Sequence, residues 1–280
     1  MRIHPEKIGI LAGSGQFPLL FIKAAQAAGR IVAVVAHKGE TSPEVAAAAD
    51  VVCWVKLGQL GKIIRFFQEE GVGETVFLGA ITKTQIFRDV FPDLKGLTLW
   101  NKIDTKQDDA ILRAVALVIE QEGIKVLDST LYLRHLLFPA GVLSKKKPSH
   151  EQRLDIEFGW RNARAIGQLD IGQCVVVRNL SVLAVEAIEG TDATILRGGG
   201  LAKEKAVVVK VKKPSQDFRF DLPATGIKTV ESLIAVKGAV LAVEAGQSLL
   251  FDREAMVTVA DKAGIVVVGV VEKLDGTLEF

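Results

Sequence analysis

Apolar residues in this chain fall into short continuous runs separated by amphipathic stretches, beginning with Lys7-Ile8-Gly9-Ile10-Leu11-Ala12-Gly13. A run without alternation predicts a strand buried on both faces. Gly13-Ser14-Gly15-Gln16-Phe17-Pro18 then reads as a turn feeding an amphipathic helix to about Ala28, which Gly29 ends. Further strands are predicted at Ile31 to Ala36, Asp50 to Val55 and Glu74 to Ala80, with a helix through Ile63, Ile64, Phe66 and Phe67 that stops at Gly71. Strands alternating with helices over short connections predict a parallel sheet with helices on both faces.

The texture then changes. Asp89 to Asn101 is loop-rich, with Pro92, Gly96 and Trp100, and is followed by a helix over Lys106 to Glu122 that buries Ile111, Val115, Leu117 and Val118. A strand over Lys125 to Ser129 and a short helix over Leu131 to Phe138 complete a first domain, residues 1–138. Residues 139–148, with Gly141 and the run Lys145-Lys146-Lys147, form the expected linker. The second domain, 149–280, opens with a helix over His150 to Leu169. Cys174 to Val177 and Val182 to Ala187 follow as an antiparallel hairpin turned by Arg178-Asn179-Leu180-Ser181. A strand at Ala206 to Val211, helices at Lys228 to Val236 and Arg253 to Ala263, and a strand at Ile265 to Val271 make it a mixed α/β domain. The hexamer Val-Leu-Ala-Val-Glu-Ala occurs at Val182 to Ala187 and again at Val240 to Ala245. It reads either as two strands presenting Glu186 and Glu244 to one site or as chance recurrence in a chain rich in Val and Ala.

Composition narrows the class. The chain is 49% hydrophobic and 24% charged, as a globular protein is, and only 6% aromatic, so small aliphatic residues fill the core. Mean hydropathy is high at +0.30, yet no run approaches the roughly 18 to 20 apolar residues that span a bilayer. The polar start, Met1 to Lys7, and the break at Gly13-Ser14-Gly15 argue against a signal peptide, so a cytoplasmic protein is expected. A formal net charge of +2 gives no reason to expect nucleic acid as a partner. Cys53 and Cys174 lie in separate apolar runs and read as buried free thiols. Four histidines without HxH or HExxH spacing argue against a zinc site.

Three places carry candidate chemistry. The turn at Gly13 and Gly15 joins a strand to a helix N-terminus, where backbone N–H groups can meet a phosphate or nucleotide. Pro18 stands where a dinucleotide fingerprint has its third glycine, and the second strand ends at His37-Lys38 without the acid that holds an NAD ribose, so hydride transfer is disfavoured. Asp108 and Asp109 open a helix with Arg113 four residues beyond Asp109; they cap the helix, or they face a ligand. The third place is the pair of acidic stretches Glu189-Gly190-Thr191-Asp192 and Asp217-Phe218-Arg219-Phe220-Asp221-Leu222-Pro223. Carboxylates, a hydroxyl and an arginine at strand ends can cradle a divalent metal and a phosphate, and ordinary caps and turns use the same residues. The run Gly198-Gly199-Gly200 reads as backbone approaching something closely or remaining mobile.

Taken in order, these motifs resemble a known family. Ile10 to Pro18, Gln107 to Arg113, Ala184 to Ala193, Lys213 to Pro223, and Ala242 to Gly246 with Asp252-Arg253-Glu254 are similar to the LpxI type of UDP-2,3-diacylglucosamine pyrophosphatase, of lipid A biosynthesis in Gram-negative bacteria. The resemblance spans nearly the whole chain. It implies a Rossmann-like N-terminal domain, a C-terminal α/β domain, and substrate in the cleft between them. It also implies magnesium-dependent hydrolysis of UDP-2,3-diacylglucosamine to UMP and 2,3-diacylglucosamine 1-phosphate, with the family's essential aspartate at Asp221.

Residue chemistry fills the other roles. Asp192 and Glu189 join Asp221 as the acidic catalytic cluster, with Asp221 and Asp192 on magnesium or manganese. Thr191, Arg219, Gly13, Gly15, Asp108 and Asp109 are the expected substrate-binding residues, and water is expected to attack the α-phosphorus. A lipid-linked UDP-sugar substrate with no spanning helix implies work at the surface of the inner membrane from the cytoplasm. Self-association stays open, and a non-catalytic nucleotide- or phosphate-binding regulator is the alternative.

Overall fold

The computed structural model describes residues 6–81, 92–100, 108–214, 216–220 and 222–280. The described chain forms two compact units, the first running to Arg134 and including Asp217–Phe220, the second comprising His135–Gln216 and residues from Leu222 onward. No described helix is long and apolar enough to cross a membrane.

The first unit is built on β1 (Lys7–Ala12), α1 (Phe17–Ala27), β2 (Ile31–His37), α2 (Pro43–Ala48), β3 (Val51–Val55), α3 (Leu60–Glu69) and β4 (Glu74–Leu78). It continues with α4 (Leu94–Trp100), α5 (Asp108–Gln121) and β5 (Lys125–Val126). Its sheet has the order β3-β2-β1-β4-β5, and every pairing is parallel. Ile8, Ile10 and Ala12 on one face of β1 and Leu11 on the other are all buried, which is why the strand reads as a continuous apolar run. Leu11, Ala33, Val35 and Phe77 pack with Ile64 and Phe67 of α3, Ala116 and Ile119 of α5, and Phe220. The expected parallel sheet with helices on both faces is present, in the Rossmann order. The predicted strand to Ser129 is shorter. Beyond Val126 the chain turns, and Ser129 donates both its amide and its hydroxyl to the Phe218 carbonyl, at 3.2 and 2.7 Å.

A short 3-10 turn, Arg134–Leu136, stands where a helix over Leu131 to Phe138 was expected. It precedes β6 (Gly141–Val142), α6 (His150–Gln168), β7 (Cys174–Arg178), β8 (Ser181–Val185), α7 (Thr191–Ala202) and β9 (Val207–Lys210). Then come β10 (Ala224–Thr225), α8 (Ile227–Ala235), β11 (Val240–Glu244), β12 (Leu249–Leu250), α9 (Arg253–Ala263), β13 (Val266–Glu272) and β14 (Leu278–Glu279). The mixed sheet has the order β14-β13-β11-β9-β7-β8, with β6 also on β13, while β10 and β12 form a separate parallel pair. Since β7 runs against both β8 and β9, the strands β8, β9, β11 and β13 all end on one edge. One face of the sheet, carrying Cys174, Val176, Val208, Leu241 and Val243, packs with Ile195 of α7, Leu233 of α8 and Met256 of α9. The other, carrying Val175, Val207, Val209 and Ala242, packs with Ile156 and Trp160 of α6.

Two sequence expectations change here. Residues 139–148 were read as a linker, yet Gly141 and Val142 pair antiparallel with Gly269 and Val268. Val267 bonds the Leu143 amide with its carbonyl and the Ser144 hydroxyl with its amide, each at 2.9 Å, and the Lys145 amide reaches Asp261 at 2.7 Å. Gly and Pro mark irregular backbone; they do not say whether a sheet holds it. The run Gly198-Gly199-Gly200 is neither loose nor a loop, because it lies inside α7. A Cβ on Gly198 would sit 2.6 Å from Val176 Cβ and 2.8 Å from Ala184 Cβ, so the missing side chain sets how closely α7 lies on β7 and β8.

Candidate active site

At the end of β1 the glycine turn is committed first to the sheet. Gly13 and Ser14 donate their amides to Leu78 and Ala80, both at 2.8 Å, the Ala80 amide returns a bond to Ser14 at 3.1 Å, and the Ser14 hydroxyl also reaches the Ala80 carbonyl at 2.9 Å. A Cβ on Gly13 would overlap the Ala80 oxygen and lie 2.9 Å from its carbonyl carbon. Gly15, with φ of 92°, has open space where a Cβ would point. Gly13 also lines a cavity of about 190 Å³ beside the ends of β1, β2 and β4, walled by Leu60, Phe77, Leu99, Leu112 and Val115 among others. His37 is its titratable member. Its Nδ1 donates to the Ala12 carbonyl at 2.9 Å, and burial pushes the imidazole pKa down, opposed by that bond and then by Glu40. His37 is therefore neutral, with Nε2 as an acceptor.

Asp217 and Arg219, from the second acidic stretch, belong to the first unit. Arg219 donates from Nε and one terminal nitrogen to Asp217, at 3.1 and 2.8 Å, and from the other to Glu120 of α5 at 3.3 Å. Burial pushes the Asp217 carboxyl up, but the side-chain and backbone hydrogen bonds of Arg219 outweigh it, and the pKa lies below the usual range. A phosphoryl group on Arg219 would share a guanidinium that two carboxylates already hold.

The first acidic stretch lies on the edge of the second sheet where β8 ends. Glu186, just past β8, is buried and accepts from the Thr191 hydroxyl at 2.9 Å, so Thr191 opens α7 by gripping a carboxylate. Glu189 is fully engaged locally. It accepts from the Ala187 amide at 3.1 Å, the Thr194 hydroxyl at 3.3 Å and Arg197 at 2.6 Å. Hydrogen bonds from its own amide and then from Arg197 hold its carboxyl below the usual range. Asp192 is the acid of the first turn of α7, and it is exposed. Its carboxylate is stabilised there by the helix N-terminus and remains available to a ligand.

Glu244 follows a different course from Glu186 despite the repeated hexamer. It accepts from Arg164 of α6 at 2.7 Å and from the Lys212 amide at 2.7 Å, on the α6 side of the sheet. Glu186 lies on the α7 side, since its amide bonds the Cys174 carbonyl opposite it at 2.9 Å. The cause is a bulge. Val177 pairs with Val182 but Val176 pairs with Ala184, so Leu183 is an extra residue and every later side chain of β8 changes face. The hexamers share a sequence and present their glutamates to opposite faces, so one common site is ruled out.

The LpxI N-terminal domain family matches residues 7–136, and the LpxI C-terminal domain family matches residues 139–268. The chain belongs to the LpxI family. It is 35% identical over 278 residues to the UDP-2,3-diacylglucosamine pyrophosphatase LpxI of Caulobacter vibrioides, an alignment covering 95% of this chain and 98% of that protein. Among solved structures, the biotin carboxylase domain of Hydrogenobacter thermophilus 2-oxoglutarate carboxylase aligns over 63% of this chain and 35% of its own, at 14% identity and a TM-score of 0.26. The biotin carboxylase subunit of pyruvate carboxylase aligns over 65% and 35%, at 13% identity and a TM-score of 0.27. At that level the likeness carries no argument.

In this LpxI-family chain, the structure brings Glu186, Thr191 and Asp192 together at the start of α7, with Glu189 turned into its own ion pair. Gly13 and Gly15 stand at the end of β1, and Arg219 is held by Asp217 and Glu120. Asp221 lies outside the described residues, as do the side chains of Asp108 and Asp109, which open α5. Among the described residues no group of three His, Cys, Asp or Glu side chains could hold a metal. Lys210 is a residue that the sequence reading did not single out. It is 4% exposed, and the signal was present: it shares a strand face with Val208 in a run that is otherwise all valine.

Proposed function

We propose that this protein hydrolyses the diphosphate of UDP-2,3-diacylglucosamine, giving UMP and 2,3-diacylglucosamine 1-phosphate. The observation that carries the reading is the match to the Caulobacter pyrophosphatase over 98% of that protein, through both domains. By family the chain is a hydrolase of the pyrophosphatase class, placed in lipid A biosynthesis.

Water attacks the α-phosphorus in this reading, its oxygen enters UMP, and the phosphoanhydride oxygen leaves on the sugar phosphate. Asp221 orients that water. Asp221 and Asp192 are the carboxylates that would hold magnesium or manganese, and the exposed oxygens of Asp192 suit a hard cation. Such an ion supplies neutralisation of the diphosphate charge as it builds in the transition state. Arg219 meets a phosphoryl oxygen with the N–H groups left by Asp217 and Glu120. Glu189 keeps Thr194 and Arg197 in place at the start of α7.

The apolar cavity beside β1 and β4 offers an acyl chain a lining of leucine, isoleucine and phenylalanine. Leu112→Trp should then raise KM for long-chain substrate more than for short-chain substrate, and an equal effect on both removes the cavity from the reading. A substrate of this kind places the protein at a membrane surface, a placement tested by sedimentation with anionic vesicles.

Incubation with detergent-dispersed UDP-2,3-diacylglucosamine and magnesium should release UMP, and chelation should stop it. Asp221→Ala should bind substrate without turnover. Binding by the wild type without UMP release would instead favour a regulatory protein. Turnover in isotopically labelled water decides the attacked phosphorus, since label in the sugar phosphate contradicts attack at the α position.

A further inference from the structure

Lys210 closes β9, and its side chain is buried on the sheet face that α7, α8 and α9 cover. The register places it opposite Cys174 of β7, and Cys174 in turn lies opposite Glu186. Paired residues share a face, so Glu186, Cys174 and Lys210 form a row across neighbouring strands, its two ends separated by two strand spacings, about 10 Å of backbone. The bulge in β8 is what turns Glu186 onto this face. Cys174 reports the surroundings. Burial first, then Glu186 and Asp192, push its thiol pKa far up, while Lys210 opposes them.

The Lys210 ammonium donates to the Ala224 carbonyl at 2.7 Å. Ala224 opens β10, and the carbonyls on either side of it, Pro223 and Thr225, accept from Leu249 and Phe251 at 2.7 and 3.0 Å. Successive carbonyls of a strand point in opposite directions. That of Ala224 is therefore turned away from β12, and Lys210 holds it. Ala224 stands three residues after Asp221 in the chain.

We propose that Lys210 is a positioning residue for the hydrolysis: its ammonium fixes the Ala224 carbonyl and so anchors the chain just after Leu222-Pro223, the two residues that follow Asp221 in sequence. The proposal rests on the pyrophosphatase reading above. Pro223 fixes its own φ, so an anchor at Ala224 restricts the backbone of the described residues just before it. Lysine suits the place because its long stem crosses the apolar layer and carries the ammonium to the Ala224 carbonyl.

The test compares full-length wild type, Lys210→Met and Lys210→Arg for UMP release with magnesium present, together with the urea midpoint of each. Met matches the lysine stem and buries no charge, and Glu186 retains its bonds to Thr191 and the Gln173 amide. Lys210→Met should keep the wild-type midpoint and a KM within about threefold, while kcat falls on the order of 100-fold, as displacement of a catalytic segment by about 1 Å does. Lys210→Arg, which keeps a charged donor, should regain part of that loss. A near-normal kcat in Lys210→Met overturns the proposal, as does a kcat loss that tracks a lowered midpoint or shows no recovery with arginine. A wild type that releases no UMP overturns the pyrophosphatase reading, and the proposal with it; wild-type turnover with an unimpaired Lys210→Met overturns the proposal alone.

Discussion

Gly13→Ala separates two roles that a glycine turn can have at the end of a first strand. If Gly13 is small so that substrate can approach, a methyl group raises KM and leaves stability alone. The geometry predicts the reverse. The added Cβ would overlap the Ala80 oxygen, and both atoms of that clash are tied to backbone, with no flexible side chain to move aside. Relief requires the turn and the end of β4 to part, which stretches the bonds from Gly13 to Leu78 and between Ser14 and Ala80, at 2.8, 2.8 and 3.1 Å. At about 1 kcal/mol for each of the three bonds, and with overpacking adding typically 1–3 kcal/mol, the expected loss is about 4–6 kcal/mol. With a urea slope of roughly 1–3 kcal/mol per molar, the midpoint should fall by about 1 M or more. Urea titration followed by far-ultraviolet circular dichroism measures this, and UMP release below the transition gives KM. A midpoint shift under about 0.2 M together with a raised KM would refute the pairing argument and return Gly13 to the ligand.

Other consequences are equally open to measurement. Asp155, buried on α6, accepts from the amides of Leu180 and Asn179 at 2.7 and 3.1 Å, and both turn residues have positive φ, 56° and 50°. Asp155→Ala should lower stability by about 2 kcal/mol through loss of two charge-assisted bonds, and Leu180→Gly should recover part of it; a neutral Asp155→Ala in urea would contradict this. His37 is held neutral by burial, so its folded pKa lies below its unfolded value. Its contribution is complete above the unfolded pKa of about 6.5 and is lost as pH falls, because the unfolded chain then binds the extra proton. His37→Asn should therefore lose less stability than wild type between about pH 7 and about pH 5, and equal losses would refute the assignment. Cys174, buried and with its thiol pKa raised, should resist an alkylating reagent at neutral pH until urea unfolds the chain, whereas half-buried Cys53 reacts earlier; mass counting of labels decides, and rapid double labelling of native protein would sink the claim.

Much of the fold was legible because it is written in local periodicity. The continuous apolar runs of β1 and β2 announce strands covered on both faces. The order of motifs from Ile10 to Pro223 was likewise enough to suggest the family. What sequence could not weigh is contact at long range. The linker at 139–148 reads as loose because Gly, Pro and Lys carry no record of β13, which binds its backbone. The glycine run in α7 reads as mobile because Val176 and Ala184, which demand its smallness, lie elsewhere in the chain. That Arg219 is also held by Glu120, 99 residues away, is equally invisible in the sequence.

The hexamer gives the sharpest division. Sequence alone determined two strands of matching composition, each ending in a glutamate, because side-chain alternation is a local property. Only tertiary structure decided that these glutamates face opposite ways, since one extra residue in a strand pair inverts everything after it and that residue is identified by its partner strand. The same pairing set Lys210 in line with Glu186 and gave a lysine in an all-valine run a carbonyl to hold.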